Sequence, residues 1–204
     1  MKKIIAVLTT LAIILCLAGC GGGTPTKTFS RGVINNGVYE NSFVGIGINL
    51  DDQWKFLTEE EINQINGVTE EFLDFDLEDF TIFYDMQATN LLTAETVNVN
   101  IEKLQPAAVV LAEDMETFLS SQMPTLQQSL ENMGCTNVSY ELVKVKIGDK
   151  EHQAATIVGE ILETKLYEMV VCIKCDGGYM ANLSIATFGT DTTKDILNKF
   201  YTVE

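Results

Sequence analysis

Between Val138 and Ile185 the apolar residues keep a period of two, and that periodicity leaves few folds open. Val138, Tyr140 and Leu142 alternate with polar residues, and the parity then slips by one to Val143, Val145 and Ile147. A slip of that kind predicts a β-bulge at the Leu142–Val143 step. Gly148-Asp149-Lys150 reads as a turn into a strand over Gln153–Leu162, and Tyr167, Met169, Val171, Ile173 and Cys175 form the apolar face of the next. Asp176-Gly177-Gly178 has the composition of a two-residue primed turn, which needs positive φ. Tyr179, Ala181, Leu183 and Ile185 carry the same parity onward. Strands joined by such short turns pair antiparallel, so this third of the chain predicts a meander.

The rest of the chain supplies more strands and the helices that cover them. Val38–Asn41 and Phe43–Leu50 read as two short strands around a corner, with Gly45 and Gly47 marking a close backbone approach or a bulge. Trp54, the only tryptophan, reads as a core anchor beside Phe56. Thr58-Glu59-Glu60-Glu61 is a capping box that opens a helix running to about Asn66 and stopping at Gly67. Val68–Phe80 fits a helical face or none. Thr81–Thr89 and Glu95–Leu104 are expected strands, joined through Asn90–Ala94. Val97, Val99 and Ile101 alternate with Asn98, Asn100 and Glu102, which predicts one face in water. From Ala107 to Met133 the period turns helical, Gly134 is a plausible residue after the C-cap, and Pro124 predicts a kink or break near Ser120. Thr190 or Asp191 is expected to cap a last helix carrying Ile196, Leu197, Phe200 and Tyr201. The fold class is therefore α+β, an antiparallel β-sheet flanked by helices.

Ahead of this domain the chain has another character. Lys2 and Lys3 precede an apolar run from Ile4 to Leu17, and Leu17-Ala18-Gly19-Cys20 closes it with small residues and a cysteine. That order is an export signal, too short for a comfortable membrane span of about 20 residues. Leu17-Ala18-Gly19-Cys20 resembles the lipobox of bacterial lipoproteins. The resemblance implies that residues 1–19 are a signal peptide and that Cys20 becomes a diacylglyceryl-bearing N-terminus, with fatty acyl chains such as palmitate. It places the protein on the extracytoplasmic face of the cell membrane, and two acyl chains give stable anchoring. Residues 20–36, beginning with Gly21-Gly22-Gly23-Thr24-Pro25, read as a flexible tether, and residues 37–204 as a single domain.

A second resemblance follows from Tyr39-x-Asn41-x-Phe43-x-Gly45, Asp51-Asp52-Gln53-Trp54 and the Thr58-capped helix. Together these resemble the opening of small Firmicutes-type lipoproteins of unassigned function. The whole order over about residues 37–201 is similar to the PsbP-like α/β/α sandwich, whose members mostly bind partners and do not catalyse. It implies no functional residues.

Charge and chemistry narrow the function. Loss of residues 1–19 takes Lys2 and Lys3 with it and moves the formal charge from −16 to −18, which disfavours nucleic acid and anionic lipid as partners. Cys135, Cys172 and Cys175 remain as thiols. Cys172 and Cys175 are three apart on an expected strand, so they point to opposite faces and should share neither a disulfide nor a metal. His152, the lone histidine, falls in an expected hairpin and reads as a surface residue. No nucleophile elbow, phosphate loop, zinc-type helix or dinucleotide fingerprint occurs, so neither catalytic residue nor cofactor is expected.

From Phe56 to Glu102 there is no Lys or Arg, and the carboxylates crowd, Glu70, Glu71, Asp74 and Asp76 among them. Asp74-x-Asp76-x-Glu78 is similar to the start of a calcium loop. However, Asp79 occupies the glycine position and Asp85 the place of the bidentate glutamate, so no metal site is assigned. Glu70, Glu71, Asp74 and Asp76 are the candidate face for a basic protein partner. The reading is a non-enzymatic, lipid-anchored binding or accessory lipoprotein of the bacterial envelope. An envelope hydrolase and a structural subunit of a surface assembly are the alternatives.

Overall fold

The structure, a computed structural model, describes residues 29–67 and 82–204. Among these residues the strands form two antiparallel sheets. The smaller joins β1 (Val33–Asn35), β2 (Val38–Asn41), β3 (Ile46–Asn49) and β11 (Phe200–Thr202) in the order β1-β2-β3-β11. The larger has the order β4-β5-β6-β10-β9-β8-β7. Its strands are β4 (Trp54–Phe56), β5 (Ile82–Asn90), β6 (Thr96–Lys103), β7 (Thr136–Ile147), β8 (Lys150–Ile161), β9 (Thr164–Lys174) and β10 (Tyr179–Phe188). Helix α1 (Glu59–Ile65) leads towards β5. Helices α2 (Pro106–Leu111) and α3 (Met115–Asn132) stand between β6 and β7, and α4 (Thr193–Leu197) lies between β10 and β11. The α+β class with an antiparallel sheet flanked by helices is what the residue periods imply.

Each face of the large sheet has its own apolar layer. On one, Phe118, Leu119, Met123, Leu126 and Leu130 of α3 pack on Ile157, Leu166, Val170 and Met180. On the other, Val97, Val99, Ile101, Leu183 and Ile185 meet Tyr39, Ile46 and Ile48 of the small sheet, with Ile196 and Leu197 of α4. The second face is therefore covered by a sheet as well as a helix.

That two-sided burial explains the parity slip. The register of β7 on β8 runs unbroken through Leu142↔Ala155 and Val143↔Ala154, and its irregularity lies between Thr136 and Ser139. There is no bulge at Leu142–Val143. Val138 and Leu142 pack into the helix-side layer, while Val143, Val145 and Ile147 pack into the other. The strand changes which face it buries, and adjacent residues point opposite ways without any insertion.

Several local expectations hold and others shift. Thr58 and Glu61 form the capping box: the Glu61 amide donates to Thr58 Oγ1 at 3.2 Å and the Thr58 amide to Glu61 Oε2 at 2.8 Å. Gly134, at φ 89°, ends α3 as the residue after the C-cap. Cys135 N–H donates to Leu130 O and Gly134 N–H to Glu131 O, both at 2.9 Å, which is a Schellman motif. The break in the helical stretch falls before Asp114 and not near Ser120. Asp114 is the N-cap of α3 and accepts from the Thr117 amide at 3.2 Å, and Pro124 lies within a continuing helix. Phe200 and Tyr201 leave the last helix and join β11, pairing with Ile48 and Gly47. Thr192 is the N-cap of that helix, while Asp191 accepts from the Thr193 amide at 3.1 Å. The turn at Asp176-Gly177-Gly178 has three residues, with Gly177 at φ 70° and Gly178 at φ 80°.

Packing begins earlier than Gly37. Phe29 is buried, stacks on Tyr179 at 5.3 Å and meets Phe43 edge-on at 5.4 Å. Residues 29–36 are thus part of the fold and not of a tether.

Candidate functional site

Two polar arrangements and one groove carry the chemistry of the described residues. The first is a clamp built on Asp85. At the irregularity between Tyr84 and Met86, β5 gains a residue, and the carboxylate of Asp85 is only 4% exposed. It accepts from three donors: the Gly32 amide at 2.9 and 3.0 Å, the Tyr39 hydroxyl at 2.6 Å and Asn41 Nδ2 at 2.7 Å. Burial first, and then Asp85 itself, raise the Tyr39 hydroxyl well above its ordinary value. Asn41 Oδ1 in turn accepts from the Val44 amide at 2.9 Å, which sets the corner before Gly45. Gly32 has no room for a side chain, since a Cβ there would clash with Tyr39 Cε2 and sit 2.8 Å from Asp85 Oδ2. The Tyr39-x-Asn41-x-Phe43 spacing is thereby explained as two ligands of one buried carboxylate and an aromatic packed on Phe29. Asp85 is committed to these bonds, and the rest of the stretch similar to a calcium loop lies outside the described residues. Among the described residues no three His, Cys, Asp or Glu side chains gather to hold a metal.

The second arrangement overturns the expectation of a wet face on β6. Asn98, Asn100 and Glu102 are 7%, 2% and 3% exposed. They continue across β10, where Ser184 lies opposite Asn98 and Asn182 opposite Asn100, and reach Cys172 of β9 opposite Asn182. Asn182 Nδ2 donates to Asn100 Oδ1 at 3.2 Å, and Cys172 Sγ donates to Asn182 Oδ1 at 3.5 Å. Alternation of apolar with amide side chains has the same signature whether the amides meet water or one another, which is why the pattern misled. Burial pushes the Glu102 carboxyl up to about 8 against the lowering effect of its hydrogen bond with Asn182. Burial, with Glu102 nearby, pushes the Cys172 thiol up to about 12. Further along this face, Glu168 is 1% exposed and burial pushes it up to about 8 as well. Among the described residues both Glu168 oxygens, Asn98 Oδ1 and Ser184 Oγ lack a hydrogen-bond partner. No sequence signal marks Glu168; only the parity of β9 could have placed it inside.

The groove, about 460 Å³, lies where the β7–β8 turn, the β9–β10 turn and β11 converge. Phe43, Gly45, Lys150, Lys174, Asp176 and Thr202 are among its lining residues. Lys174 pairs with Glu113 at 2.5 Å. The wall thus carries both signs of charge and can receive a polar or zwitterionic group.

The sequence-predicted residues divide as follows. Cys20, Glu70, Glu71, Asp74 and Asp76 lie outside the described residues, as does the 68–80 stretch. Among the described residues Cys135, Cys172 and Cys175 form no disulfide, and all three are buried. Cys172 belongs to the helix-side layer and Cys175 to the opposite one, as their spacing implied. His152 is not in a hairpin loop but on β8 opposite Val145, half-buried, and burial together with Lys150 lowers its pKa. Trp54 is buried, a core anchor as its context suggested. Among the described residues no helix is long and apolar enough to cross a membrane.

No protein-family model matches the chain, and no curated protein matches it. Solved structures do. Cyanobacterial PsbP (CyanoP) from Synechocystis sp. PCC 6803 overlaps 91% of this chain and 98% of its own, at 12% identity and TM-score 0.45. LpqN of Mycobacterium tuberculosis, described as involved in cell envelope biogenesis, overlaps 78% and 83%, at 10% identity and TM-score 0.37. A protein from Bacteroides thetaiotaomicron VPI-5482 overlaps 78% of this chain at 10% identity and TM-score 0.39, and the match spans 45% of that longer protein.

Proposed function

We propose that this chain is a lipid-anchored, extracytoplasmic binding or accessory lipoprotein of the bacterial envelope that acts without catalysis. The observation that carries the reading is the short stretch of sequence between the lipobox and the residue that packs beside the groove. Eight residues separate Cys20 from Phe29, a reach of at most about 30 Å, and Phe29 packs on Phe43, which lines the groove. An acylated Cys20 would hold that groove close to the lipid surface. The groups that could do chemistry are engaged in the scaffold: Asp85 accepts from three donors, and Cys172 is buried with its thiol raised to about 12. A basic protein partner, drawn by Glu70, Glu71, Asp74 and Asp76, fits the acidic chain, because opposite charge speeds encounter.

The test is photo-crosslinking on intact cells from probes placed at Asp176 in the groove wall and at Leu92, an exposed loop residue. Capture of one defined product from position 176 and not from 92 is expected. That capture should weaken when Glu70, Glu71, Asp74 and Asp76 become Gln or Asn, and when salt is added. Equal or absent capture at the two positions contradicts the binding role of the groove. Capture indifferent to charge and salt leaves the acidic stretch a solubility role only.

A further inference from the structure

Glu168 sits at mid-strand on β9, beneath the layer that α3 packs onto the sheet. Its cross-strand neighbours on that face are Ile157 of β8 and Ala186 of β10, both apolar. Leu166 and Val170 flank it along the strand in the same apolar layer, which α3 closes with Leu126 and Leu130. Among the described residues neither carboxyl oxygen has a hydrogen-bond partner and no cation pairs with it. The thiol within its electrostatic reach is Cys135 at the α3–β7 junction, whose Sγ lies over Gly159; burial raises that thiol first, and Glu168 and then Glu131 push it up further. A neutral carboxyl is tolerable in such a place, whereas an unpaired carboxylate is strongly disfavoured and must reach water or be protonated.

We propose that Glu168 is a proton-held latch between the central sheet and the α3–β7 unit: protonated it lets the layer close, and ionised it drives the layer open towards solvent. The moving parts are bounded. Met133, Gly134 and Cys135 join α3 to β7, and β7 is the outer strand of the sheet, paired only with β8. Opening between α3 and residues 136–142 of β7 exposes Cys135, while Val143, Val145 and Ile147 stay in the opposite layer, which holds Cys175. Cys135 and Cys175 therefore report on the two faces independently.

The full chain in detergent solution is pulsed with iodoacetamide at pH 6.5 and pH 9, and labelling of each cysteine is read by peptide mass spectrometry. Labelling of each cysteine is divided by that of the same cysteine in the urea-unfolded chain at the same pH, so the Cys135:Cys175 ratio reports exposure and not intrinsic thiol reactivity. The ratio is expected to rise about thirtyfold from pH 6.5 to 9, as the ionised fraction that feeds the open form climbs from about 3% to about 90% for a midpoint near 8. Glu168→Gln should hold the ratio flat, and Glu102→Gln, beside Asn182 on the same face, should keep the rise. A flat ratio in the wild type, the same rise in Glu168→Gln, or loss of the rise in Glu102→Gln overturns the proposal. If Glu168→Gln fails to fold, the wild-type and Glu102→Gln ratios decide by the same criteria.

Discussion

At the scale of single residues the molecule is organised by buried carboxylates of two kinds. Asp85 is satisfied by the Gly32 amide, Tyr39 hydroxyl and Asn41 amide, and through them it ties residues 29–41 to the bulged strand β5. Asp85→Ala should cost about 2–4 kcal/mol, because three buried donors lose their acceptor together. In thermal unfolding that is a fall of about 5–15 °C for a domain of this size. A fall under 2 °C would show that water replaces the carboxylate without loss. Glu168, by contrast, is unsatisfied. The first carboxylate was half legible, since the Tyr39-x-Asn41 spacing was visible as a motif but its common target, 44 residues downstream of Asn41, was not. Nothing in a linear pattern pairs residues at that separation.

At the scale of elements, turn chemistry and periodicity were reliable wherever one face alone was buried. The capping box at Thr58 and the glycine after α3 are local hydrogen-bond problems with local solutions, and the sequence states both. The period of two failed where both faces were covered, as on β6 and at the Leu142–Val143 step, because alternation then reports which layer is polar and not which is wet. The break before Asp114 was missed for a related reason. An apolar stripe continues across it, and the capping of the Thr117 amide outweighs the stripe. The β8–β9 turn shows the opposite case, in which the residues do not suit their conformation. Leu162 and Glu163 both take positive φ, 48° and 64°, between Ile161 and its partner Thr164. A type I′ turn of this shape favours Asn-Gly, and each ill-suited residue costs of order 1 kcal/mol. Leu162→Asn with Glu163→Gly should therefore stabilise the protein by about 1–2 kcal/mol. A denaturant midpoint unchanged or lowered at constant m-value would contradict that.

At the scale of the whole molecule, the buried acids fix how stability follows pH. Glu102 and Glu168 are both raised to about 8 in the fold, against about 4.5 for an unperturbed glutamate. Between those limits the unfolded chain releases protons that the folded chain retains, so stability is full below about pH 4.5, declines towards pH 8 and levels above it. The slope is at most about 1.4 kcal/mol per pH unit for each group. Glu61, Asp114 and His152 act in the other direction, since their lowered pKa values favour the fold as pH rises. The first two are exposed caps already ionised at pH 5.5 and His152 is a single half-buried group, so the buried pair of glutamates should dominate. Thermal unfolding at pH 5.5 and pH 8 should give the higher midpoint at pH 5.5, and Glu168→Gln should narrow the gap; a higher midpoint at pH 8 would contradict the assignment. The whole chain also carries the functional claim, which rests on Cys20 as its point of attachment. Metabolic labelling with a radiolabelled or alkyne-tagged fatty acid tests it directly, in cells making the wild type or Cys20→Ala. Label in the wild type, with Cys20→Ala accumulating as an unlabelled and unprocessed precursor, is the expected result. Label retained in Cys20→Ala, or none in the wild type, would contradict a lipid anchor at this cysteine.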